Sequence, residues 1–175
     1  SYGRDGTYEN SIKTMPSLYN QGANFTDTTS ESITIAGTSG SGILNNSYSV
    51  SIWYYPRNDV GSASLIHEIF YFGGIPSATA NGTFIRWTAS TNLSTFITNG
   101  NAPATGTNTL STSANSIPAN NWNNLVFTYD KATGNKTIWV NGVGKASNVL
   151  GGTLGHIPSS PGNWEIGNLG SSNRN

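Results

Sequence analysis

Cysteine is absent from the 175 residues and charge is scarce: 8 Lys+Arg stand against 8 Asp+Glu, charged residues make up 9% of the chain, and methionine occurs once. No cysteine means no disulfide framework, no thiol nucleophile and no thiolate zinc site. A net charge of zero without a basic stripe argues against nucleic acid, whose binding is driven by counterion release to clustered Lys and Arg. No apolar run approaches the ~18 residues of a spanning helix, so membrane insertion is not expected. Helix signals are missing as well. No apolar stripe at helical spacing is sustained over three turns, and Ala, Leu, Glu and Lys are few.

What fills the chain instead is 23 Asn, 23 Ser, 21 Thr and 21 Gly, 88 residues of 175. Polar, Gly-rich composition of this kind is a signature of disorder. Against it stand 5 Trp, 8 Tyr and 6 Phe, which fall inside short alternating segments and offer enough apolar area to order the chain. Alternation predicts strands near 23–25, 32–36, 48–55, 65–72, 83–89, 93–98, 109–113, 122–130, 136–140, 143–147 and 164–167. Between them lie Asn81-Gly82, Asn99-Gly100, Gly134-Asn135 and Asn141-Gly142, dipeptides that accept positive φ in tight turns. The clearest hairpin turns at Asn141-Gly142. Short strands without crossover helices imply an all-β fold, an antiparallel two-sheet sandwich of jelly-roll type.

The period of two sorts side chains by face. In 48–55, Tyr48, Val50, Ile52 and Tyr54 point one way and Ser49, Ser51, Trp53 and Tyr55 the other; in 122–130, Leu125, Phe127 and Tyr129 oppose Val126 and Thr128. Aromatics on both faces exceed what a one-sided sheet needs. One set lines the core and the other is available to line a groove. Trp53 and Trp122 are expected in the core. Residues 1–20, with Arg4, Asp5, Glu9 and Lys13 and little alternation, read as a linker or lead-in strand ahead of a sandwich over 21–175.

Several segments occur in a recognisable order: Asn24-Phe25-Thr26-Asp27, Ser32-Ile33-Thr34-Ile35, Tyr48-Ser49-Val50-Ser51-Ile52-Trp53-Tyr54-Tyr55-Pro56, Asn121-Trp122 through Tyr129-Asp130, Ile138-Trp139-Val140-Asn141-Gly142 and Ile166-Gly167-Asn168. In this order they resemble the laminin-G-like, or pentraxin-like, branch of the concanavalin A-like lectin/glucanase superfamily. The resemblance spans roughly 23–168 and implies a sandwich with a curved front sheet. It also implies a carbohydrate- or protein-binding module, often with a calcium ion at the rim. The family pattern has one more strand after "ile-gly", so the resemblance implies that the native polypeptide continues past Asn175 or that a neighbouring chain supplies that strand.

Shared folds with glucanases make glycoside hydrolysis the reaction to test first, and it needs two carboxylates roughly 5 to 10 Å apart. On one strand that requires acids two or four residues apart. Of the eight acids (Asp5, Glu9, Asp27, Glu31, Asp59, Glu68, Asp130, Glu165) only Asp5 with Glu9 and Asp27 with Glu31 stand four apart, and neither pair lies within a strand predicted above. No catalytic residue is therefore assigned. His67 and Glu68 are adjacent on a strand and point to opposite faces; His156 is the only other histidine. Calcium is a better match to lone carboxylates supplemented by amides, with Asn24, Asp27, Asp59 and Asp130 as ligands, although Asp27 and Asp130 also stand where turns use Asx chemistry.

Sugar recognition calls for an aromatic platform beneath the apolar face of a pyranose and amides for its hydroxyls. Trp139, Trp87 and Tyr55 are the candidate platforms; Asn99, Asn101 and Asn141 sit in turns and supply the amides. Trp139 shares its face with Thr137 and opposes Ile138 and Val140, which turns it away from the core. The expectation is a non-catalytic recognition or adhesion module for glycans or surface proteins, displayed outside the cell or on a virion as part of a longer chain or an oligomeric assembly. The alternative is a structural or decoration domain, of a phage appendage or a bacterial surface assembly, that binds no ligand.

Overall fold

The computed structural model describes residues 7–9, 13–17, 20–25, 32–35, 47–57, 66–73, 82–88, 91, 93–99, 109–149 and 164–167. Its strands are β1 (Thr7–Glu9), β2 (Lys13–Ser17), β3 (Asn20–Asn24), β4 (Ser32–Ile35), β5 (Tyr48–Tyr54), β6 (Ile66–Gly73) and β7 (Gly82–Thr88). They continue with β8 (Leu93–Asn99), β9 (Thr109–Ser111), β10 (Asn123–Asp130), β11 (Asn135–Val140), β12 (Val143–Val149) and β13 (Trp164–Gly167). Among the described residues there is no helix, and thus none long and apolar enough to cross a membrane.

Every pairing is antiparallel. A seven-stranded sheet runs β1-β4-β13-β6-β7-β8-β9, a four-stranded sheet runs β12-β11-β10-β5, and β2 and β3 form a separate hairpin. The expected two-sheet sandwich is what the chain forms. Within the 1–20 segment, β1 lies beside β4 in the large sheet and β2 pairs with β3.

The core lies between the two large sheets and takes alternate residues from each. Leu125, Phe127 and Tyr129 of β10 and Ile138 and Val140 of β11 face Ile85 and Trp87 of β7, Phe70 of β6 and Leu110 of β9. Tyr48, Val50, Ile52 and Tyr54 of β5 pack against this cluster, and the Tyr54 ring meets Trp87 edge-on with centroids 6.2 Å apart. A register shift between Glu68 and Phe70 leaves Ile69 without a cross-strand partner. That bulge lets consecutive residues Ile69 and Phe70 both reach the interior.

Turn chemistry sets the register of the small sheet. Asn141 (φ 51°) and Gly142 (φ 79°) both hold positive φ, the two-residue turn whose twist suits a hairpin. Asn141 does more than turn. Its N–H donates to the Asn124 carbonyl at 2.9 Å, its Oδ1 accepts the Asn124 N–H at 2.9 Å, and its Nδ2 donates to Asn123 Oδ1 at 3.3 Å. Asn123 is buried and passes the bond on to the Pro118 and Asn121 carbonyls. Replacing Asn141 by alanine is expected to lower stability by about 1 to 2 kcal/mol, from lost hydrogen bonds and a left-handed backbone that alanine resists. Asn141→Gly keeps the φ and isolates the hydrogen-bond share; chemical denaturation of both variants separates the two effects.

Candidate functional site

The four-stranded sheet turns one face to the core and the other to solvent. On the outer face, register sets Gly144, Trp139, Val126 and Ser51 in one row across β12, β11, β10 and β5, and Ser147, Thr137, Thr128 and Ser49 in the next. Trp53 pairs with Asn124 in the row on the other side. Trp139 is 39% exposed and Trp53 is 43% exposed. The other exposed large apolar residues among those described, Val143 and Val149, are also on this sheet, in β12.

Trp139 is seated, not dangling. A Cβ placed on Gly144 would lie 3.4 Å from its Cζ3 and 3.6 Å from its Cε3, so the indole rests against the bare backbone of β12. A side chain larger than alanine's at position 144 would lift the ring. Around it, Thr137 and Ser147 share a hydroxyl hydrogen bond at 3.2 Å, Ser147 Oγ donates to Asn135 Oδ1 at 3.0 Å, and Asn124 Nδ2 approaches Ser51 Oγ at 3.5 Å. This is an aromatic surface in a field of hydroxyls and amides.

The remaining residues singled out by sequence are distributed differently. Trp87 is a correction: it is fully buried in β7, packed on Tyr54, so no ligand reaches its face. Trp53 is the converse correction, a surface residue where core was expected. Its companions Ser49 and Ser51, exposed on the same face of β5, were the signal that it turns outward. Tyr55 is half-buried and meets Trp122 edge-on at 5.5 Å; the tip of Trp122 in turn lies near Gly22 of the β2–β3 hairpin. Asn99 is the last residue of β8, in the opposite sheet. Asn141 has its amide committed to Asn123 and Asn124.

Of the calcium candidates, Asp27 and Asp59 lie outside the described residues, as do Asn101 and His156. Asn24 ends the hairpin that packs near Trp122, ahead of β10, while Asp130 closes the far end of that strand, on the order of 24 Å along it. The structure does not bring these two together. Asp130 works as a turn clasp: its carboxylate accepts the Thr133 hydroxyl at 2.6 Å, the Ala132 N–H at 3.0 Å and the Ser47 hydroxyl at 3.1 Å. These bonds, that from Thr133 foremost, hold its carboxyl below the usual range. Among the described residues no three His, Asp or Glu gather as a metal-binding group. Asp130 and Glu165, the two acids whose side chains are described, belong to different sheets.

One charged residue escaped the sequence reading. Lys136 is buried in β11 on the inward side, in alternation with Ile138 and Val140. Its register neighbours are Tyr129 and Asn148. Burial pushes its amine down to about 7. Tyr129, whose ring lies 5.5 Å from that of Tyr48, is pushed above its usual range by burial and then by the charge of Asp130.

A family model described as the concanavalin A-like lectin/glucanases superfamily matches residues 27–175. The match takes in both large sheets except β1. No curated protein matches the chain.

Proposed function

The chain belongs to the concanavalin A-like lectin/glucanase superfamily, and on that premise we propose that it is a non-catalytic recognition module that binds glycan through the outer face of its four-stranded sheet. The supporting observation is Trp139, 39% exposed and seated on Gly144 among the Thr137, Ser147 and Asn135 polar groups. An indole packed against a strand and part-exposed offers ring surface to the apolar side of a pyranose, and neighbouring hydroxyls and amides meet the sugar's own hydroxyls. Its position on a strand, not a loop, means little ordering accompanies binding. Domains of this type are commonly extracellular, which suits display of the module on a cell or virion surface. A purely structural spacer has no use for an exposed tryptophan with a prepared seat.

A glycan array probed with the purified chain, in calcium and in chelator, tests the reading. Binding to a subset of glycans is expected, and Trp139→Ala should weaken it by roughly tenfold or more, the scale of losing about 1.4 kcal/mol or more from an aromatic anchor. Its circular dichroism and melting temperature should stay close to those of the parent. A blank array, or an unchanged affinity in the variant, would sink the proposal and favour a structural role.

A further inference from the structure

Trp53 gives the outer face a second aromatic surface, and its place relative to Trp139 constrains what both can hold. Trp139 shares a row with Val126 and Ser51, and Trp53 lies two residues beyond Ser51 on β5. Two strand spacings across and two residues along place the Cα atoms about 12 Å apart. That is more than one pyranose can cover. Between the tryptophans stand Val126, Asn124 and Ser51, with the Asn124 amide directed to the Ser51 hydroxyl, and none of the three is charged. Of the described charges of this sheet's surface, Asp130 and Lys131 are at one end, and Lys145 on β12 flanks Trp139 on the side away from Trp53. Lys145 falls at the register shift opposite Ile138 and Trp139.

We infer that Trp53 and Trp139 are two subsites of one site, and that its ligand is an extended, uncharged oligosaccharide lying obliquely across β5, β10 and β11. The inference rests on the glycan-binding reading above and narrows it. Two aromatic surfaces on one sheet face suit a linear chain whose sugars each turn an apolar side to the protein. Val126 maintains apolar contact between them, while Asn124 and Ser51 take hydroxyls along the way. A sialylated or sulfated glycan finds no cation between the tryptophans to receive its anion. A monosaccharide occupies one subsite at a time, so affinity grows with length until both are covered, because the second contact is intramolecular.

Isothermal titration with neutral linear oligosaccharides of two to six sugars, drawn from glucan, xylan, mannan and chitin series, tests this. For whichever series binds, affinity is expected to rise at least tenfold between the shortest and longest members. Trp53→Ala should abolish that rise while leaving the affinity for the shortest member within about twofold; Trp139→Ala should weaken all lengths. Affinity independent of length, or a Trp53→Ala variant that keeps the full rise, overturns the inference. So does a panel without binding when the array is positive for charged glycans, and in that case the glycan-binding reading survives. A blank array removes both.

Discussion

Lys136→Met should stabilise the domain at pH 7 by several kcal/mol and lose most of that advantage by about pH 9.5. The wild-type amine has a pKa of about 7 in the folded chain because it is buried, against about 10.4 in an unfolded one. A base with a lowered folded pKa binds fewer protons when folded, so wild-type stability rises with pH between these values. Below pH 7 both states are protonated and the dependence flattens. At pH 7 nearly the whole penalty is present, on the order of 4 kcal/mol for an amine whose folded and unfolded values lie this far apart. Methionine is similar in length and apolar, and apolar replacement of a buried ion is often stabilising. Tyr129, with its raised pKa, loses stability as it ionises near the alkaline limit, so the comparison belongs between pH 6 and about 9.5. Denaturant midpoints of both proteins across that range supply the measurement. Parallel pH profiles would show that the amine is not in fact desolvated, and a destabilised Met variant at pH 7 would show that its polar contacts outweigh its burial.

Trp87→Ala should cost about 3 to 5 kcal/mol, the usual penalty for emptying a fully packed indole site. The residue is 0% exposed and bridges the sheets through Tyr54. For a domain of this size the melting temperature should fall by roughly 10 °C. Trp139→Ala, by contrast, should hardly move it. The two variants thus exchange phenotypes, one losing stability and keeping the surface, the other losing the proposed binding and keeping the stability. A Trp87→Ala protein with unchanged melting temperature would contradict the packing described for the core.

How far the sequence could be read follows from which physical signal each residue carried. Strand positions were legible because alternation and Asn-Gly turns are local; Trp164–Gly167 and the Asn141-Gly142 hairpin stand where the pattern puts them. The family resemblance was legible for the same reason, being a series of local motifs. Face assignment was legible only where a strand has one clean polar side. For Trp139 it did, with Thr137 beside it. Trp87 has Arg86 and Thr88 as neighbours and Ile85 two residues away, and nothing local says which side of β7 meets the other sheet. Trp53 carries conflicting local signals, aromatic bulk that points to a core and two serine companions on its face that point to solvent. Lys136 was missed because charge suggests surface, whereas the alternation with Ile138 and Val140 had already turned it inward. The bulge at Ile69, which puts two successive side chains inside, breaks the period and leaves no mark in the sequence.

The uncharged ground between Trp53 and Trp139 also bears on speed. Long-range attraction accelerates capture only where fixed charges shape the field around a site, and this one has none at its centre. On the proposed reading, encounter proceeds without strong electrostatic steering and responds only weakly to ionic strength. Grip must come from dwell time instead. If the proposed ligand is a polymer whose repeat recurs along its length, a released module finds the next repeat within reach before it diffuses away, so a modest single-contact lifetime would still amount to prolonged residence.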